Sequence, residues 1–133
     1  MKLYETTQKR GNTTYIGLVL LGDHNQIYMS TAFSTNREKH AYLSGIERAV
    51  SFIHHNKPIY STKDIVLYGQ KIGLNDPLKS EYTERIMPNK RIIPNSEPLN
   101  DLDKQYLHYA EQEVEAILKP LDIRMMSQNV ERK

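Results

Sequence analysis

Tyr82, with Lys79, Arg85, Lys90 and Arg91 around it, is the part of this 133-residue chain whose residue types could grip a nucleic acid or another charged partner. A tyrosine ring offers a face on which a base stacks, and neighbouring cations meet phosphates. Asp76, Glu81, Glu84 and Glu97 interleave with those cations, so a protein-contact loop or a plain solvated loop competes with that reading. His54 and His55 are the next candidates. Adjacent residues on a helix point about 100° apart and share one ion poorly, whereas cations near a helix C-terminus suit its dipole. His24 and His108 stand at no ligand spacing from that pair, so zinc is not expected. Ser44 and Ser51 have no His/Asp company in sequence, and glycine-rich phosphate loops and nucleophile elbows are absent. The chain has no cysteine, which excludes a disulfide framework, a thiol nucleophile and a thiolate zinc site.

Charge narrows the field only slightly. Eighteen Lys and Arg oppose 16 Asp and Glu, a net +2 that does not by itself argue for nucleic acid or membrane. At 38% hydrophobic residues the chain can build a modest core. No apolar run approaches the roughly 18 residues of a membrane span. The start, Met1-Lys2-Leu3-Tyr4-Glu5, lacks a signal-peptide core, so a soluble, cytoplasmic protein is expected. Nine tyrosines against two phenylalanines place most aromatics at the edge of a core, hydroxyl outward.

The elements that must position these groups follow from periodicity. Residues 2–6 and 26–30 alternate, and Thr14 to Leu21 is a near-continuous apolar run. Together they predict a three-strand antiparallel meander with turns at Gly11-Asn12 and Gly22-Asp23-His24-Asn25. Gly17 inside the central strand marks a close helix approach or a bulge. Thr35 or Asn36 caps a helix to about His55, whose stripe is Leu43, Ile46, Val50 and Ile53. Residues 64–69 read as a strand. The proline-punctuated stretch 70–99 reads as one long loop, functional or mobile. Asn100 caps a helix to Lys119, which Pro120 stops, and Leu121 to Ser127 reads as a last strand, with a frayed tail from Gln128. The result is a single α/β domain over 1–127 with a mixed sheet, in the order β-β-β-α-β-α-β.

This order, with some local sequence, resembles the ribonuclease H-like family. Lys2-Leu3-Tyr4, Arg10-Gly11-Asn12 and Tyr15-Ile16-Gly17-Leu18-Val19-Leu20 are similar to the family's first two strands and the turn between them. Thr35-Asn36 looks like its helix entry, Ala41-Tyr42-Leu43-Ser44-Gly45-Ile46 like its first helix, and Ile65-Val66-Leu67-Tyr68-Gly69 like its fourth strand. The resemblance covers residues 2–70 in local sequence and 100–127 in element order. It implies an RNA-cleaving chemistry in which clustered carboxylates hold two divalent metals, because hard magnesium ions take oxygen ligands.

At the places the resemblance assigns to those carboxylates the chain carries Thr6, Ala41 and Gly69. The family's closing helix, with a further aspartate, has no room after a strand at 121–127. A relocated acidic cluster would draw on Glu5, Glu38, Glu47 and Asp64, yet Glu5 alternates to the opposite face from Thr6. The preferred expectation is therefore a pseudoenzyme, without metal or other cofactor, that binds a protein or nucleic-acid partner. Two alternatives stand beside it. One is an active nuclease using magnesium or manganese at the relocated acids; the other is a self-associating assembly protein, a homo-oligomer.

Overall fold

A computed structural model describes residues 1–60 and 63–131. Strands β1 (Lys2–Arg10), β2 (Thr13–Leu21) and β3 (Ile27–Thr35) form the expected antiparallel meander. Both turns need left-handed backbone, supplied by Gly11 at φ 60° and Asn25 at φ 61°. Each outer strand is longer than the sequence pattern suggests. Gln8, Lys9 and Arg10 are polar, yet they continue the ladder opposite Tyr15, Thr14 and Thr13. Thr35 is likewise held in β3 by pairing with Thr14, which overrides its cap-forming chemistry. Helix α1 therefore starts only at Tyr42 and runs to Asn56, with Ala41 at its N-cap.

The chain then returns beside β1. Strand β4 (Ile65–Tyr68) pairs parallel with β1, and β5 (Ile92–Pro94) pairs parallel with β4. The sheet order is β3-β2-β1-β4-β5. The segment 70–99, expected as a loop, thus contains β5 and the short helix α2 (Glu81–Ile86). The Ser80 hydroxyl accepts from the Thr83 amide at 3.3 Å and caps α2, with Glu81 and Glu84 in its first turn. Elements of six and three residues are too short to print a period.

Helix α3 (Asp101–Glu131) follows β5 and runs straight through Pro120. The strand expected at Leu121 to Ser127 is helix instead. A strand needs a free neighbouring edge, and β5 already occupies the one beside β4. The tail expected to fray from Gln128 is helical backbone through Glu131, and residues 132–133 lie outside the described residues. The fold therefore has a closing helix after its fifth strand, contrary to the expectation that none would fit. The sequence β-β-β-α-β-α-β holds, but α2 and β5 supply its last two members and α3 is added.

Alternation along the strands splits the core. Leu3, Ile16, Leu18 and Leu20 meet α1, where the stripe Leu43, Ile46, Val50 and Ile53 is buried as expected. On the other face Tyr4, Val19 and Leu21 meet Ala110 of α3. Gly17 settles as a close helix approach: a side-chain carbon there would overlap the Ala110 carbonyl.

Candidate functional site

Strand β4 ends at Tyr68, opposite Tyr4 of β1, which itself runs on to Arg10. The next residues, Glu5 and Gly69, therefore face each other, and α1 crosses above them. Glu5, not Thr6, is the β1 side chain that points to α1. Thr6 points to α3, where it lines a shallow cavity of about 280 Å³ with Gln8, Glu111, Val114 and Glu115.

Glu5 is wholly buried, and neither carboxylate oxygen has a hydrogen-bond partner. Its Oε2 occupies the volume that a side chain at Gly45 of α1 would fill. Burial alone raises its pKa well above the ordinary 4.5, because a carboxylate without water or counter-charge is far costlier than a carboxyl. Tyr42 stands one turn before Gly45. Its hydroxyl donates to the Pro77 carbonyl at 2.8 Å, and its own pKa is raised by burial, then by Asp76 and Glu5. Gly69 has φ 95°, and a side chain there would strike the Glu5 carbonyl and Leu107. Its lack of a side chain serves chain reversal and the approach of α3.

The other acids do not converge on this point. Glu47 pairs with Arg37 at 3.1 Å. Asp64 precedes β4, roughly 16 Å from Gly69 at about 3.3 Å per strand residue, and lies 3.7 Å from Arg91. Glu38 is exposed in the 36–41 connection. Among the described residues no three His, Asp or Glu side chains could hold a metal ion together. The relocated cluster of Glu5, Glu47 and Asp64 is not assembled.

Sequence reasoning missed one polar group on the opposite face. Asp103, buried in the first turn of α3, accepts the Tyr4 hydroxyl at 2.7 Å and the Asn100 amide at 3.2 Å. The Asn100 side chain in return accepts the Asp103 amide at 2.7 Å, a reciprocal cap. The Tyr68 and Tyr106 rings lie 4.6 and 5.2 Å from Tyr4. The Asn-x-x-Asp spacing signalled the cap but not its long-range tyrosine. Tyr4→Phe is expected to cost about 1.5–2 kcal/mol, read by urea denaturation, because it strips a buried carboxylate of a donor. A loss below about 0.5 kcal/mol would show that water replaces the hydroxyl.

The residues proposed from sequence to touch a partner are divided by the structure. Lys90 is a correction: it is wholly buried, its ammonium donating to the Tyr60 and Lys63 carbonyls at 3.0 and 2.6 Å. Burial lowers its pKa to about 8, against an opposing pull from Asp64. Lys79 bonds the Pro88 carbonyl and lies 3.5 Å from Glu84. Arg91 is exposed but sits beside Asp64. Tyr82 and Arg85 stay together, the guanidinium 5.5 Å from the ring centre. Tyr82 also lines a groove of about 490 Å³ with Phe33, Thr35, Ser44, Glu47 and Arg48. His54 and His55 stack edge to face at the end of α1, and His55 Nδ1–H donates to the Ser51 carbonyl at 2.8 Å.

The sequence matches no protein-family model, and no curated protein sequence matches it. The three-dimensional arrangement does match solved structures. Ribonuclease H1 from the halophilic archaeon Halobacterium salinarum superposes with a TM-score of 0.53 at 15% identity, covering 86% of this chain and 97% of that one. LC11-RNase H1, isolated from compost by a metagenomic approach, gives 0.54 at 12% identity over 88% and 96%. The N-terminal RNase H domain of a Mycobacterium tuberculosis protein gives 0.54 at 12% identity over 90% and 96%. The chain has a ribonuclease H-like fold.

In a ribonuclease H-like frame the junction of β1, β4 and α1 is where divalent metals would be sought. The residues there do not fit them. Glu5 is closed off from water, its contacts at Gly45 and Gly69 bring no carboxylate, and Asp76, which acts on Tyr42, accepts the Gly73 amide at 2.8 Å. Hard cations need several charged or carbonyl oxygens around an accessible cavity. Among the described residues no helix is long and apolar enough to cross a membrane.

Proposed function

We propose that this chain is a non-catalytic ribonuclease H-like module that binds a protein partner. One observation carries the reading: the Glu5 carboxyl at the β1–β4–α1 junction is buried beneath Gly45 with both oxygens unpartnered. A carboxyl in that state neither ligates a metal nor takes a proton from water. A nucleic-acid partner is less favoured because the cations suggested for it are spent within the chain, with Lys90 buried and Lys79 and Arg91 beside acids. Tyr82, which lines the groove along α1, and Arg85 beside its ring are the contact residues this reading retains.

The purified chain, incubated with an RNA–DNA hybrid in magnesium or manganese, is expected to cleave no faster than in EDTA. Metal-dependent cleavage abolished by Glu5→Gln, Glu47→Gln or Asp64→Asn would overturn the proposal in favour of an active nuclease. A binding titration with a single-stranded or hybrid oligonucleotide tests the partner class. Phosphate contacts would show as affinity falling steeply with salt; no such affinity is expected.

A further inference from the structure

We propose that two copies of this chain pair through β3, antiparallel about a two-fold axis at Thr31, so that two five-stranded sheets become one. The two edges of the sheet are built differently. β5 has three residues, ends in Pro94 and is flanked by Arg91. A short strand, a proline and a charge are the devices that keep an edge from pairing. β3 has none of them. It is nine residues long, Ile-Tyr-Met-Ser-Thr-Ala-Phe-Ser-Thr, without charge, proline or glycine. It has β2 on one side only. Among the described residues no loop backbone hydrogen-bonds to it. Its register with β2 is regular from Met29 to Thr35, and the irregularity falls at the far end, by Leu20 and Leu21. The outer edge is thus a regular row of donors and acceptors.

The side chains identify the occupant as a second β3. Centring the pairing on Thr31 sets Thr31 against its own copy and Met29 against Phe33 on both sides of the axis. Threonine pairs and thioether–aromatic contacts are favourable cross-strand neighbours. No charge meets a like charge, which self-pairing requires of a strand. Met29, Thr31 and Phe33 pair with Leu20, Leu18 and Ile16, which places them on the α1 side. There they are half-buried beside a groove of about 380 Å³ that includes Met29, Thr31, Arg48 and Phe52. The facing strand would cover them. On the other side Ser30 donates to Glu113 of α3 at 3.0 Å, so α3 backs the strand on that face. This inference stands whether or not the junction at Glu5 is catalytic.

Sedimentation velocity on the full chain, over about a hundredfold range of concentration, is expected to show a dimer that dissociates on dilution. Thr31→Lys and Thr31→Glu should each be monomeric, because like charges then oppose each other at the axis. Mixing the two in equal amounts should restore a dimer, since Lys now faces Glu; a general loss of folding would not be rescued in this way. Amide exchange in β3 of the unaltered chain should slow as concentration rises. A chain monomeric at every concentration overturns the proposal. So do Thr31 variants that stay dimeric alone, or β3 exchange that ignores concentration.

Discussion

At about pH 7.5 the Glu5→Gln protein is expected to be more stable than the unaltered chain, with the difference fading towards about pH 4.5. The folded chain holds a proton on Glu5 that the unfolded chain releases above the ordinary value of 4.5. Protons are therefore bound in excess by the folded state, and raising the pH favours unfolding. The slope approaches about 1.4 kcal/mol per pH unit until the folded-state pKa is reached. Stability from this group is full below about 4.5 and is lost as the pH rises. Glutamine keeps the volume and removes the titration, so its profile should be flatter. Lys90 bends the curve the other way above its pKa of about 8, because there the unfolded chain binds the extra proton. Urea denaturation at several values between about pH 5 and 7.5 isolates Glu5. Parallel profiles for the two proteins would show that Glu5 finds water or a partner in solution. Gly45→Ala gives an independent check, since its methyl collides with Glu5 Oε2. A loss of about 2–3 kcal/mol is expected, with most of it recovered in the Glu5→Ala, Gly45→Ala double variant.

Gly17→Val should be the most damaging single change outside that junction. The new side chain would meet the Ala110 carbonyl and sit 2.9 Å from Val114 Cγ2. Neither α3 backbone nor the interior strand β2 can yield without lifting the helix from the sheet. The expected cost is about 3 kcal/mol, or roughly 10 °C in the thermal midpoint. Calorimetry or thermal circular dichroism reads this directly. A shift under about 2 °C would mean that α3 rests further from the sheet than Gly17 implies.

These two glycines also show how much of the fold and site was legible in the sequence. The meander, α1 and β4 were readable because each repeats apolar residues at its own period over enough length. The Gly17 packing was readable as one of two options, since a glycine in an apolar strand has few other uses. The face that Glu5 would occupy was not readable. Strand alternation separates Glu5 from Thr6, but nothing local says which of the two faces receives α1. Lys90 reads as an exposed cation in a charged loop until the Tyr60 and Lys63 carbonyls close around it. Pro120 reads as a stop, yet α3 continues, because the place beside β4 that a following strand would take is already held by β5.

By itself the sequence determined what depends on neighbours along the chain: period, turns, caps, the lack of thiols, and an element order resembling the ribonuclease H-like family. Only the tertiary structure decided which residues share the β1–β4–α1 junction. It also decided that the Glu5 carboxyl there is buried, and that one sheet edge is blunted while the other is left open. These are properties of side chains brought together from distant positions, and burial, which sets the charge state of Glu5 and Lys90, is not encoded in any local stretch.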